Sequence, residues 1–242
     1  MKAVIFDLGH TLIDYYTDWK DPEGRAIQET FRIAQEKGCL VGREEFHRIL
    51  SYMLEEARQV RRREMREVSL ESLLNEFFER VGCTVHPDLM ERSLEAFYGA
   101  LLEHRKLIPG SGEMLDRIKQ RGYRIGLVSD VAFGLPSRFP LRDVEFYGLD
   151  RYFDDMVFST DVGLRKPHPG IFHVSLENLG VDACDAVYVG NSLQADIQGA
   201  LSSGIGAVLK RSNFYFHDDG IRPHAVVDEW WELDPLLDSL LG

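Results

Sequence analysis

The sequence predicts an α/β fold: a parallel sheet with helices on both faces, interrupted after its first strand by a block of helices. Three observations predict it. The opening strand, residues 2–6, carries a continuous apolar run at 3–6, as expected of a strand buried on both faces of a parallel sheet. From about residue 23 to 103 apolar residues recur at helical spacing and no buried strand stands out. Beyond "KLIPGSG" short apolar runs alternate with helical stretches, the signature of βαβ units.

Taken in order, the first strand (2–6) ends at Asp7. Helices are expected at 23–37, stopped by Gly38, and at 43–66, where Phe46, Ile49, Leu50, Met53 and Leu54 mark one apolar face. A third spans 70–81, with Ser69 as N-cap and Gly82 beyond its end, and a fourth spans 87–103, with Pro87 at its first position. Strands are then expected at 124–129 ("RIGLVS"), 156–159 ("MVFS"), 186–190 ("AVYVG"), 207–210 and 225–227, with helices at 112–120, 138–147, 169–178, 193–202 and 235–241. The last helix carries Leu236, Leu237, Leu240 and Leu241 as a face expected to pack on the sheet. Because the first strand must join that sheet, residues 1–14 and 104–242 form one discontinuous α/β domain, and residues 15–103 an all-helical insertion.

With 40 acidic against 28 basic residues the net charge is −12, which repels a polyanion and excludes nucleic acid as partner. The one basic cluster, "RQVRRREMR" at 58–66, reads as a solvated helix face. No apolar run reaches the ~18 residues of a membrane span, and Asp7 falls where a signal peptide needs its apolar centre. A soluble, cytoplasmic protein without a membrane partner is expected. Three cysteines (Cys39, Cys83, Cys184), odd in number and far apart, point to reduced thiols rather than a zinc site. There is no GxGxxG after the first strand, no GxxxxGK[ST] loop and no HExxH. No feature sets an oligomeric state.

Ligands of such folds sit beyond the carboxyl ends of the strands. That rule selects Asp7, Ser129 with Asp130, Asn191 with Asp196 after "AVYVG", and Lys166 in "GLRKPHP". Three acids, a hydroxyl, an amide and an ammonium converge on one edge. A carboxylate at the end of a buried strand is costly without a task, so Asp7 is the first candidate.

At these residues the chain resembles the haloacid dehalogenase (HAD) superfamily of aspartyl-nucleophile hydrolases, in particular members with a helical cap after the first strand of a Rossmann-like core. The resemblance runs through four motifs in order: "VIFDLGHTL", "IGLVSD", "RKPHPGIF" and "VYVGNSLQADIQGA". It implies hydrolysis of a small phosphomonoester through a covalent intermediate on Asp7, with the helical block closing over a small-molecule substrate. Lys166 supplies positive charge and Ser129 holds a phosphoryl oxygen, while Thr11 and Asp130 are further phosphate-binding candidates. The plainer roles of those last two are a hydroxyl cap on the turn and a carboxylate that orients its loop. Mg²⁺ is the implied cofactor, held by Asp7, the Gly9 carbonyl, Asn191 and Asp196, an all-oxygen set that suits a hard cation.

Two positions depart from the family pattern. Phosphatases of the family carry an Asp where this chain has Gly9, and that acid serves as general acid and base, a role of about 10²- to 10⁴-fold. They commonly carry another Asp where this chain has Asn191. His10 has a pKa range suited to proton transfer and is the candidate replacement, the alternative being a turn histidine facing elsewhere. His168 reads as a turn residue. Tyr15, Tyr16, Asp18 and Trp19, just past the nucleophile, are candidates to face the site, or else hinge packing. Gly9 also fits metal-free C–halogen hydrolysis by Asp7, and the loss of two acids fits a catalytically weak relative acting as a binding protein.

Overall fold

The computed structural model describes residues 1–15, 20–212 and 220–242, so Tyr16, Asp18 and Trp19 lie outside the described residues. The chain begins with β1 (Ala3–Phe6) and β2 (Ile13–Asp14), continues into α1 (Lys20–Glu36), α2 (Arg43–Glu64), α3 (Leu70–Arg80) and α4 (Pro87–Leu102), and returns through β3 (Lys106–Leu107). Then follow α5 (Ser111–Gln120), β4 (Arg124–Ser129), α6 (Arg138–Phe146), β5 (Asp155–Phe158), a single turn α7 (Ser159–Val162), α8 (Pro169–Leu179) and β6 (Ala186–Gly190). A wide π-type turn (Leu193–Ile197) leads into α9 (Gln198–Ser202), β7 (Gly206–Lys210), β8 (Ala225–Val227) and α10 (Leu233–Leu241).

The local chemistry of each element is in its sequence. The Ser69 hydroxyl caps α3 by accepting from the Ser72 N–H. Pro169 opens α8, and Gly180, at φ +62°, closes it. α2 stops at Met65, which takes a left-handed conformation (φ 52°) and turns the chain aside. The sequence extends this helix to 66 for want of a glycine or proline stop.

Six strands form one parallel sheet in the order β5-β4-β1-β6-β7-β8. β1 lies at its centre because it is apolar on both sides: Val4 and Phe6 join the larger core with α5, α10 and the helical block, while Ala3 and Ile5 face α8 and α9. Chain order reverses about β1, so the carboxyl ends of β4, β1 and β6 stand side by side, where such folds bind ligands. Leu237 and Leu241 bury the last helix against the larger core, with Leu236 and Leu240 half-buried beside them. The helical block leaves and rejoins through β2 and β3, which pair antiparallel (Ile13 with Leu107, Asp14 with Lys106).

Three expectations need correction. Cys39, just past α1, and Cys83, just past α3, are joined as a disulfide with Cα atoms 5.0 Å apart; helix packing closes the 44-residue separation that made them look unrelated. Only Cys184 is a free thiol. The arginine cluster at the end of α2 is not simply a solvated face, because Arg61 is turned inward and donates to the carbonyls of Val68 (2.6 Å) and Phe133 (2.5 Å). The stretch 193–202 is not one regular helix. The N–H groups of Asp196 and Ile197 both donate to the Ser192 carbonyl, each at 3.0 Å, which widens the first turn. Among the described residues no helix is long and apolar enough to cross a membrane.

Candidate active site

Asp7 follows the last residue of β1, and its N–H donates to the Val189 carbonyl (3.0 Å), so the sheet itself fixes its backbone. The next residues turn tightly, with the N–H groups of Leu12 and Ile13 returning to the Leu8 carbonyl. That turn folds Thr11 back on the carboxylate: its hydroxyl donates to Asp7 Oδ2 at 2.9 Å. Lys166 Nζ donates to Asp7 Oδ1 at 2.6 Å from the opposite side. Each carboxylate oxygen is therefore held by a donor from a different segment, which fixes its orientation.

Lys166 is the hub. Its buried ammonium also meets Asp196 Oδ1 (2.7 Å), the Val128 carbonyl (3.1 Å) and the Tyr188 hydroxyl (3.0 Å). Tyr188, read in the sequence as a core strand residue, ties these groups together, its one hydroxyl proton having the Val128 carbonyl (2.9 Å) and Asp196 Oδ1 (3.2 Å) as acceptors. A tyrosine in an otherwise aliphatic strand was the available signal, because a buried hydroxyl needs partners. Asp196 is reached through the wide turn, and its Oδ2 accepts from the Ser192 N–H at 2.8 Å.

The electrostatics follow from burial. Burial pushes the Asp7 carboxyl up to about 6, with Lys166 opposing and Asp196 adding to the rise. Burial alone would push Lys166 down, but Asp196 and Asp7 outweigh it and hold its ammonium well above the usual lysine range. Burial, then the Asp196 charge, lifts the Tyr188 phenol well above its ordinary range, so it remains a donor.

The other sequence candidates divide. Ser129 ends β4 and lines the same cavity. The Asp130 carboxylate accepts from the Lys166 backbone N–H (3.1 Å) and lies 3.5 Å from Arg165, so it orients the loop carrying Lys166. Asn191 lines the cavity with its amide nitrogen donating to Ser212 (3.2 Å), and its oxygen is the ligand atom it offers. His10 also lines the cavity, at φ 60°, with Nδ1 3.5 Å from Asp14. Burial lowers its pKa despite Asp14, favouring a neutral imidazole. The His168 side chain caps α8 by accepting from the Gly170 N–H, as a turn residue should. Tyr15 faces the cavity too, but its hydroxyl donates to Asp143 (2.6 Å).

Asp7, His10, Tyr15, Ser129, Asp130, Lys166, Asn191 and Asp196 wall a cavity of about 790 Å³ between the strand ends and the helical block, whereas Thr11, Tyr188 and His168 lie outside its lining. Leu54, Arg58, Arg61, Arg62 and Met65 enter it from α2 and the residue beyond; Phe133, Leu135 and Phe139 enter from the loop and helix after β4. Among the described residues no group of three or more His, Cys, Asp or Glu is arranged to hold a metal ion. The donors on the cavity wall that could hold one are all oxygens: the carboxylates of Asp7 and Asp196, the Gly9 carbonyl and the Asn191 amide. By their chemistry they fit a hard divalent cation, with Lys166 already balancing part of the negative charge.

Comparison with known proteins agrees with this geometry. The pattern of haloacid dehalogenase-like hydrolases matches residues 1–204. The chain belongs to that family. Among curated relatives of this hydrolase, a glyceraldehyde 3-phosphate phosphatase from Methanopyrus kandleri is 27% identical over 89% of the chain and 86% of its own length. One of the same name from Pyrococcus abyssi is 30% identical, over 53% of the chain and 52% of its own length. Of solved structures, a HAD phosphatase from Thermococcus onnurineus is 25% identical with TM-score 0.64, covering 98% of both chains. A 2-haloacid dehalogenase from Pseudomonas syringae is also 25% identical, with TM-score 0.70 and 99% coverage of both.

Proposed function

We propose that this hydrolase is a Mg²⁺-dependent phosphatase of a small phosphomonoester, with Asp7 as nucleophile and residues 15–103 as its cap. The observation that carries the reading is the clamp on Asp7, whose two oxygens are held by Lys166 and Thr11 at the meeting point of three strand ends. A carboxylate held this way presents a lone pair in a fixed direction, which is what in-line attack on phosphorus requires. Relatives named as phosphatases over most of their length support phosphorus as the target.

In this mechanism Asp7 attacks the phosphorus, the bond to the leaving oxygen breaks, and the phosphoryl group passes to the carboxylate. Water then hydrolyses the acyl phosphate and frees Asp7. Lys166 offsets charge on the transferring group, and Ser129 donates to one of its oxygens. Asp7, the Gly9 carbonyl, Asn191 and Asp196 would hold the Mg²⁺, which supplies further positive charge at the phosphoryl oxygens when bound. Gly9 offers no proton and burial keeps the neighbouring His10 neutral, so the leaving group departs without an acid from this turn and activated esters are favoured.

The test is release of p-nitrophenol from p-nitrophenyl phosphate with Mg²⁺ or with EDTA, beside Asp7→Asn. Turnover that needs metal and disappears in the variant is expected. Absence of Asp7-dependent turnover would turn attention to C–halogen hydrolysis, a reading favoured by the dehalogenase neighbour and by Gly9, for which 2-chloropropionate is the substrate to try.

A further inference from the structure

We propose that Glu67, from the helical block, is a positioning residue whose seating on the α/β layer sets the loop that carries Lys166. The proposal rests on the phosphatase reading for its kinetic consequence and on geometry alone for the coupling.

The segment after α2 lies along the loop immediately before Lys166. The Glu67 N–H donates to the Gly163 carbonyl (3.0 Å), the Arg165 N–H donates to the Met65 carbonyl (2.9 Å), and Arg66 pairs with Leu164 as an antiparallel bridge. The Glu67 side chain, 3% exposed, joins both halves of the molecule. From its own side it accepts from Arg61 Nε (2.8 Å) and the Val68 N–H (2.9 Å). From the α/β layer it accepts from Arg165 Nη1 (2.6 Å) and the Ser159 hydroxyl.

Both of those partners lead to the site. Arg165 also donates to the Val131 carbonyl (3.1 Å) and stands 3.5 Å from Asp130, whose other oxygen holds the Lys166 N–H at 3.1 Å. Ser159 accepts from the Val131 N–H (2.9 Å), in the loop that follows Ser129 and Asp130. One buried carboxylate thus holds the loops after β4 and β5 together.

A second observation comes from the opposite side of the contact. Gly134 has φ +77°, and a Cβ there would lie 2.1 Å from the Val68 carbonyl oxygen, 2.6 Å from Arg61 Nη2 and 3.1 Å from Glu67 Oε1. The loop after β4 is seated on the Glu67 segment so closely that a methyl group does not fit. Gly134→Ala therefore lifts the same contact without removing a polar group, and it complements Glu67→Ala and the gentler Glu67→Gln.

The experiment measures kcat and KM for p-nitrophenyl phosphate with Mg²⁺, together with amide hydrogen exchange across residues 159–166, in the wild type and the three variants. Positioning predicts that Glu67→Ala and Gly134→Ala each lower kcat by about tenfold or more, with KM moving less than about threefold. Exchange at 163–166 should accelerate in both, with Glu67→Gln intermediate. A lower melting temperature with kcat and exchange unchanged would make Glu67 merely structural and overturn the proposal, as would a rise in KM alone. If the wild type shows no Asp7-dependent turnover, the phosphatase reading fails by itself. Exchange then decides the coupling, and unchanged protection in the variants overturns it.

Discussion

A Cβ built on Gly9 would meet only the ring of Tyr15, whose nearest carbons are 3.9 Å away, an ordinary contact. The backbone there is not left-handed, so neither space nor conformation demands glycine. The fold does not enforce glycine at this position. Gly9→Asp is therefore expected to fold normally and to restore part of a general acid worth about 10²- to 10⁴-fold. The gain should appear with alkyl phosphates, whose leaving groups need a proton, and scarcely with p-nitrophenyl phosphate. Comparing kcat/KM for the two esters in both proteins measures it, and an equal change for both would mean the new carboxylate does not reach the leaving oxygen. At this scale the sequence located the candidate side chains better than it located their partners. Asp7, Lys166 and Asp196 could be named from strand ends and loops, whereas Thr11 was legible as a phosphate-binding candidate or a turn cap but not as the hydroxyl that holds Asp7. Glu67 and Arg165 were invisible, because charged residues in a polar segment give no sign of burial.

Elements read well where one period persisted. The strand alternating with α5, α6 and α8 fell where apolar runs met helical spacing, since the same residues that set the pattern fill the two cores. The pairing of β2 with β3 did not, because strands of two residues leave no periodic trace. The wide turn after β6 was missed for a different reason: its side chains keep helical spacing while its hydrogen bonds do not. That turn brings the Asp196 carboxylate back over the strand end, which requires the last residue of β6 to have no side chain. A Cβ on Gly190 would lie 2.4 to 2.6 Å from Asp196 Cγ, Oδ2 and Cβ. Gly190→Ala should therefore cost about 1–3 kcal/mol as overpacking and, by displacing Asp196 from Lys166, lower turnover by at least ~10-fold. Thermal melting and steady-state kinetics measure the two effects. A variant that loses stability but keeps its turnover would show that Asp196 can move without consequence.

The whole molecule is fastened at a second place, far in sequence from Glu67. Asp143 of α6 is buried and accepts from Tyr15 (2.6 Å), just past β2, and from Tyr98 (2.7 Å) of α4, while Arg105, just before β3, pairs with it. One carboxylate on the α/β layer thus holds both crossings into the helical block and one of its helices. Burial first, and then Asp143, lift the Tyr15 and Tyr98 phenols above their ordinary range, so both remain donors. No sequence pattern marks this hub, since each partner lies more than 30 residues from Asp143 and nothing in the local pattern of any of them points to that carboxylate. Asp143→Ala would leave a largely buried guanidinium without its carboxylate and two phenols without their acceptor, a loss of about 3–5 kcal/mol. At roughly 2–4 °C per kcal/mol for a chain of this size, the melting temperature should fall by on the order of 10 °C. Tyr15→Phe deletes one donor and leaves the carboxylate two others, so about 1 kcal/mol is expected. Differential scanning calorimetry of both variants decides it: if Asp143→Ala costs no more than Tyr15→Phe, the arginine has found water or another acceptor, and the crossings are held by packing rather than by this carboxylate.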